Sequence, residues 1–313
     1  MSTTRPLLIG CCLALARNAA LGFGYAVYGV LADYPLFTGQ ALRFAIATGV
    51  LYAFAKLRLG RLPHPSGPDT RRIVLLAALG LGGSSVFLVL ASRHAEPGMI
   101  GTVVGCGPLV FALAGPFCER RAPAVRVLAA SLLAVLGAVL VEGGGDPDPL
   151  GLLCAVGALV SMAAVALLGA ALLPRIPPSA VALYVVGAAA MLFAAVAPLA
   201  DGEEFLRAPH AGELAAIVYL GLVQSAIGLL AWYAAINRIR LERAGLFLAI
   251  VPVMAVVGGE VVGTGAVTLP QLGGVGLVTL ALLAELAPAA FTTGPRARAA
   301  GGRQLAGSAR GVP

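Results

Sequence analysis

Three ionisable side chains stand inside apolar runs of this chain: Arg17, Arg43 and Glu260. A charge costs so much in an apolar run that each is a functional candidate by default. Arg17 lies about ten residues into the first run and is followed by Asn18. A guanidinium there suits a carboxylate or phosphate, which it can grip with two parallel donors. Equally, it could pair with a carbonyl or an acid for assembly alone. Arg43 lies about seven residues into the second run. Glu260 comes near the end of the ninth run, at a depth comparable with Arg43. It could pair with Arg43 or, left unpaired, serve in proton coupling. Glu142 and Glu285, at run ends, are weaker candidates.

Uncharged polar residues extend the candidate binding set. Asn18, Tyr25 and Tyr28 fall on the first run, Ser84 and Ser85 on the third, and Gln224 and Ser225 on the eighth. Tyr25 and Tyr28 are three apart and share a helical face. Such residues could line a polar cavity, though Ser, Gln and Asn also join helices at about 0.6 kcal/mol each. Trp232 and Tyr233 suit either the cavity or an interfacial anchor.

Catalysis has little support. His64, His94 and His210 all fall between apolar runs, and no Ser/His/Asp or Cys/His constellation accompanies them. Five cysteines form no CxxC pair and show no metal-ligand spacing, so they read as small packing residues. No phosphate-binding glycine loop precedes a helix, which argues against an ATP-driven pump. The expectation is a non-enzyme without catalytic residues, metal or cofactor.

The elements that must hold these residues are set by composition. Of 313 residues, 59% are hydrophobic and only 11% charged, and the mean hydropathy is +0.95. Soluble domains carry about 25% charged residues. Ten apolar runs can be drawn, at 7–31, 36–55, 73–91, 98–118, 124–142, 150–173, 179–200, 213–236, 244–263 and 267–287. Runs of about 20 residues match a hydrocarbon core. The reading is an all-α integral membrane protein with ten transmembrane helices, a lipid bilayer as partner, and a Gly/Arg-rich disordered tail at 288–313.

Charge then sets direction. Lys56, Arg58, Arg61, Arg71 and Arg72 share one side with Arg120, Arg121, Arg126, Arg175, Arg238, Arg240 and Arg243, while Arg93 and Arg207 fall on the other. That is the positive-inside bias, with both termini cytoplasmic in the inner (plasma) membrane, and not a nucleic-acid patch.

The chain also repeats itself. Pro252 lies 144 positions after Pro108, and the same shift lays Gly245 on Gly101, Gly259 on Gly115 and Ala235 on Ala91. Five runs per copy is odd, so the copies at 1–143 and 150–287 are expected to be inverted five-helix repeats. Pro108 and Pro252 are read as mid-helix breaks, each freeing a carbonyl, either as plain kinks or along a substrate path.

These features resemble the ten-helix branch of the drug/metabolite transporter superfamily, built from two EamA-type repeats. The resemblance rests on PLFTGQALRF at 35–44, Pro108 with Glu119-Arg120, AWYAAINRIR at 231–240, and Pro252-Val253 followed by LPQLG at 269–273. One departure is Gly265 standing where a glutamate is usual, with Glu260 displaced into the run; Glu119 also comes two residues early. The resemblance implies a secondary transporter that moves small polar metabolites such as amino acids, with export the expected direction. The contrasting reading is a non-transporting membrane scaffold or sensor. A homodimer is left open.

Overall fold

The structure is a computed structural model and describes residues 4–31, 33–94, 103–118, 122, 124–142, 149–262 and 269–286. The tail at 288–313, Gly101, Glu119, Arg120 and Gly265 lie outside these residues, as do the side chains of Tyr25, Glu142 and Glu285. All regular structure among the described residues is helical. In chain order the helices are α1 (Thr4–Gly29), α2 (Leu36–Leu59), α3 (residues 67–94), α4 (Gly107–Cys118) and α5 (Val125–Glu142). They continue with α6 (Pro149–Leu172), α7 (Pro178–Ala200), α8 (Ala211–Ile239), α9 (residues 241–262) and α10 (Leu269–Leu286).

Among the described residues, six stretches are long and apolar enough to cross a membrane: Pro6–Gly24, Gly67–Ala91, Pro149–Leu172, Pro178–Ala200, Ala211–Ile239 and Leu241–Gly258. Val103–Ala114 and Val125–Leu140 are shorter apolar helices. Large apolar side chains point outward around the bundle, with Leu57 at 89%, Leu199 at 87% and Met191 at 71% exposure. Water would penalise so much apolar surface, whereas lipid tails accept it. The chain is a multipass membrane protein.

Three helices are not regular throughout. Helix α3 widens to a π-helix over Leu76–Gly82 and α8 does so over Leu220–Ile227. Leu76 and Leu220 are 144 positions apart, the same shift as the two prolines. π segments are rare and gather at functional sites. Helix α9 tightens to a 3₁₀ turn over Phe247–Ala249 before its straight part, Ile250–Val262. Pro252 explains this: it has no N–H to donate, and its ring crowds the carbonyl of Leu248 four residues back. Pro108 is placed differently from the mid-helix expectation. It is the second residue of α4, where its missing N–H costs nothing, and a short helical piece at 103–105 precedes it. Pro116 and Pro198 lie inside α4 and α7, near their C-terminal ends.

Packing follows a pattern. Helix α2 lies along α7, α5 along α10 and α4 against the first turns of α9. Helix α1 packs on α8 as α6 packs on α3, and α2 meets the π segment of α8 as α7 meets that of α3. Phe193 of α7 stacks on Phe44 of α2 with centroids 5.7 Å apart and meets Phe37 at 5.9 Å.

Polar clamps close each end of the bundle. Helix α2 starts after Pro35, which offers no side-chain cap. The Asp201 carboxylate, at the end of α7, substitutes: it accepts from the Thr38 N–H (2.7 Å), the Thr38 hydroxyl (2.8 Å) and the Phe37 N–H (3.3 Å). Nearby, the Tyr34 hydroxyl donates to the Arg207 carbonyl at 2.9 Å, and Arg207 pairs with Glu213. Burial pushes the Tyr34 phenol above its ordinary range, with Glu213 adding and Arg207 opposing, so the hydroxyl stays a donor. At the other end Asp69 is the centre: Ser66 caps α3 and donates to Asp69 at 2.7 Å, while Arg175 reaches it at 2.9 Å and Arg72 at 3.3 Å.

Candidate functional site

A cavity of about 90 Å³ lies between the two halves of the chain, among α1, α2, α3 and α8 on its polar side. Its size holds several waters. Six of the eight residues expected from sequence to bind substrate line it: Arg17, Tyr28, Ser84, Ser85, Gln224 and Ser225. Arg43 lines it as well.

Arg17 is aimed by its neighbour. Its Nη1 donates to Asn18 Oδ1 at 2.6 Å, and Asn18 Nδ2 donates to the Ala14 carbonyl one turn back at 2.9 Å. Asn18 is fully buried and sits behind the cavity wall, so it orients Arg17 and does not face the cavity. The Arg17 guanidinium lies over the Trp232 ring, 4.9 Å from its centroid. Trp232 and Tyr233 are both buried. That corrects the anchor alternative: α8 turns this face inward, where Trp232 forms the cavity floor beside Phe111 at 6.2 Å.

Arg43 is 7% exposed. Its Nε donates to Ser225 Oγ at 3.2 Å and its Nη1 donates to the Tyr28 hydroxyl, which in turn donates to Gln224 Oε1 at 3.3 Å. Its guanidinium covers the rings of Phe44 and Tyr28. The ion pair with Glu260 is not formed. Helix α2 is held by α7 and the π segment of α8, whereas Glu260 stands exposed on the last turns of α9 and does not line the cavity. A guanidinium at a helix centre costs about 2.5–3.5 kcal/mol on insertion scales. Cation–π contacts return about 0.5–2 kcal/mol. The neutral hydroxyls leave its charge without a counter-charge among the described residues, which is an invitation to an anion.

Close backbone approach makes this geometry possible. A Cβ on Gly221, in the π segment, would stand 2.8 Å from the Arg43 carbonyl, so only glycine lets α2 sit this close. The π segment also rotates Gln224 and Ser225 into the cavity. In the matching segment of α3, Leu81 lines the cavity and the Ser84 hydroxyl donates back to its carbonyl at 3.1 Å.

The apolar walls escaped the sequence reading, because Leu, Val and Met in such a chain look like any packing residue. A signal was present nonetheless. Shifting Leu21, Leu81, Ser85 and Leu88 by 144 gives Val165, Ser225, Leu229 and Trp232, and all eight line the cavity. The cations do not share this symmetry: 144 positions after Arg17 and Arg43 stand Ser161 and Gly187.

Residues 149–284 match the EamA-like transporter family. An "Uncharacterized transporter" of Archaeoglobus fulgidus is 25% identical over 77% of this chain and 85% of its own length. The "Uncharacterized transporter YetK" of Bacillus subtilis is 22% identical over 80% of this chain and 78% of its own. The "Probable terminal-alkyne amino-acid exporter" of Streptantibioticus cattleyicolor is 28% identical over 76% and 77%. One solved crystal structure superposes with a TM-score of 0.73, covering 91% of this chain and 97% of that chain at 23% identity, which shows the fold.

Proposed function

We propose that the protein is a secondary transporter, working as an exporter, which carries a small polar metabolite bearing a carboxylate, amino acids among them. Transport proceeds by alternating access of two inverted five-helix repeats, 1–143 and 150–287, about the cavity. The observation that carries the reading is the pair of guanidiniums, Arg43 buried and Arg17 half-buried, in a cavity whose walls come from both halves. Cations lining a polar cavity suit binding and release, not bond making. The relative in Streptantibioticus cattleyicolor, named for amino-acid export, favours the same substrate class.

Several features support the repeats. The π segments and the breaks before Pro108 and Pro252 recur at one shift, and the helix contacts pair as α1–α8 with α6–α3. The α1–α2 connection meets the α7–α8 connection at one end, while the α2–α3 and α6–α7 connections meet at the other, as the charge-derived topology with cytoplasmic termini requires. Symmetry is broken where access would alternate. Helix α1 lies along the straight part of α9, whereas α6 touches α4 far less among the described residues. Exchange of these two packings would open the cavity to the opposite face. Proton coupling through Glu260 is not part of the proposal, since that carboxylate stands away from the cavity.

Counterflow in proteoliposomes is the test. Vesicles loaded with an unlabelled candidate should accumulate the labelled compound transiently. If no amino acid, organic acid, sugar phosphate or nucleobase exchanges, the scaffold or sensor reading takes over.

A further inference from the structure

We propose that the cavity selects an organic carboxylate with an uncharged apolar arm, and that it discriminates against the ammonium group of a zwitterion. The inference rests on reading the cavity as the transport site and narrows its substrate class from carboxylate metabolites in general to those without an ammonium, which makes amino acids the weaker substrates.

Charge is the first ground. The described lining carries two guanidiniums and no Asp or Glu. Arg43 is nine-tenths buried, and its described hydrogen bonds run from Nε and Nη1 to two neutral hydroxyls. Its Nη2 makes none, so a planar fork is left with donors for a carboxylate. A ligand ammonium would find neither of its usual partners. There is no carboxylate in the described lining, and three of its four aromatic rings already face a guanidinium. Arg17 covers Trp232, while Arg43 covers Tyr28 and Phe44. The Arg43 charge, balanced by no described acid, repels a ligand ammonium in a low-dielectric site.

Shape is the second ground. The cations and hydroxyls come from α1, α2, α3 and the π segment of α8. Met162, Val165, Val186 and Leu248 of α6, α7 and α9, with Phe111 of α4, supply the apolar part of the lining from the other helices. This wall has no hydrogen-bonding side chain. A ligand spanning the cavity therefore puts its anionic end toward Arg17 and Arg43 and a hydrocarbon arm toward α6 and α7. The one-sided placement follows from the broken repeat, since Ser161 and Gly187 stand where the second copy would have carried the arginines.

Four probes with related skeletons separate the contributions: 4-methylpentanoate, L-leucine, 3-methylbutylamine and acetate. Binding to the purified full-length protein in lipid nanodiscs is measured by calorimetry. The expected result is 4-methylpentanoate binding at least tenfold tighter than leucine and acetate, with no binding of the amine. Arg43→Gln should weaken the anion at least tenfold, and Arg43→Lys, which keeps the charge and loses the fork, should fall between. Leucine binding as tightly as 4-methylpentanoate would overturn the inference, and so would anion binding unaffected by Arg43→Gln. Silence from all four probes also counts against it. Leucine counterflow in proteoliposomes distinguishes the failures: leucine exchange without preference for the anion sinks this inference and leaves the transporter reading standing.

Discussion

Arg43 Nε donates to Ser225 Oγ across 3.2 Å, joining α2 to the π segment of α8. The contact ties a buried charge of one half of the chain to a widened helix in the other. Under the proposed alternating access, motion between the halves would strain or release this link. Four substitutions follow from the surrounding geometry.

Tyr28→Phe removes the hydroxyl that accepts from Arg43 and donates to Gln224. A hydrogen bond to a charged group is worth about 1.5–3 kcal/mol. The variant should remain folded, lose thermal stability by that order, and bind substrate more weakly. Size-exclusion chromatography with a thermal melt in detergent, followed by a binding isotherm, checks all three.

Gly221→Ala places a methyl 2.8 Å from the Arg43 carbonyl and 3.3 Å from Ile46 Cβ. Backbone must move, at a cost of about 1–3 kcal/mol typical of overpacking. Moving α2 withdraws Arg43 from Ser225, so substrate affinity should fall more than the melting temperature alone would suggest. Gly49→Ala, with open space around it, is the control and should change neither.

Asp201→Ala strips α2 of its borrowed cap. Loss of an N-cap costs about 0.5–2 kcal/mol. Because the cap comes from α7, hydrogen exchange should rise at the first turn of α2 and stay unchanged at the start of α3, which Ser66 caps on its own.

Pro252→Ala restores an N–H that can reach back toward Leu248 and remove the 3₁₀ turn. If the break serves movement, the transport rate should drop about tenfold while substrate affinity stays within about threefold. A loss of affinity with an unchanged rate would mark the break as a shaping element of the cavity instead.

Much of this was legible in the sequence, and the physics explains which part. Apolar runs of about 20 residues and one-sided arginines are statements about a bilayer, and they survive without knowledge of packing. Arg17, Tyr28, Ser84, Ser85, Gln224 and Ser225 stood out because polar groups are scarce in such runs. The Arg43–Glu260 pair failed because depth along a helix says nothing about which helices touch. Arg43 meets α8, while Glu260 faces outward. The π segments were invisible: LAALGLG and LGLVQSAI carry no residue that announces a widened turn. Pro108 was read as mid-helix because its apolar run continues through it, yet α4 begins one residue before it.

Counterflow by the wild-type protein and by Arg17→Gln and Arg43→Gln, each reconstituted as a folded, monodisperse protein, tests the central claim most directly. Exchange of a carboxylate-bearing metabolite by the wild type, lost in both variants, is the expected result. Wild-type exchange rates in both variants would show that the two-arginine cavity is not the transport site.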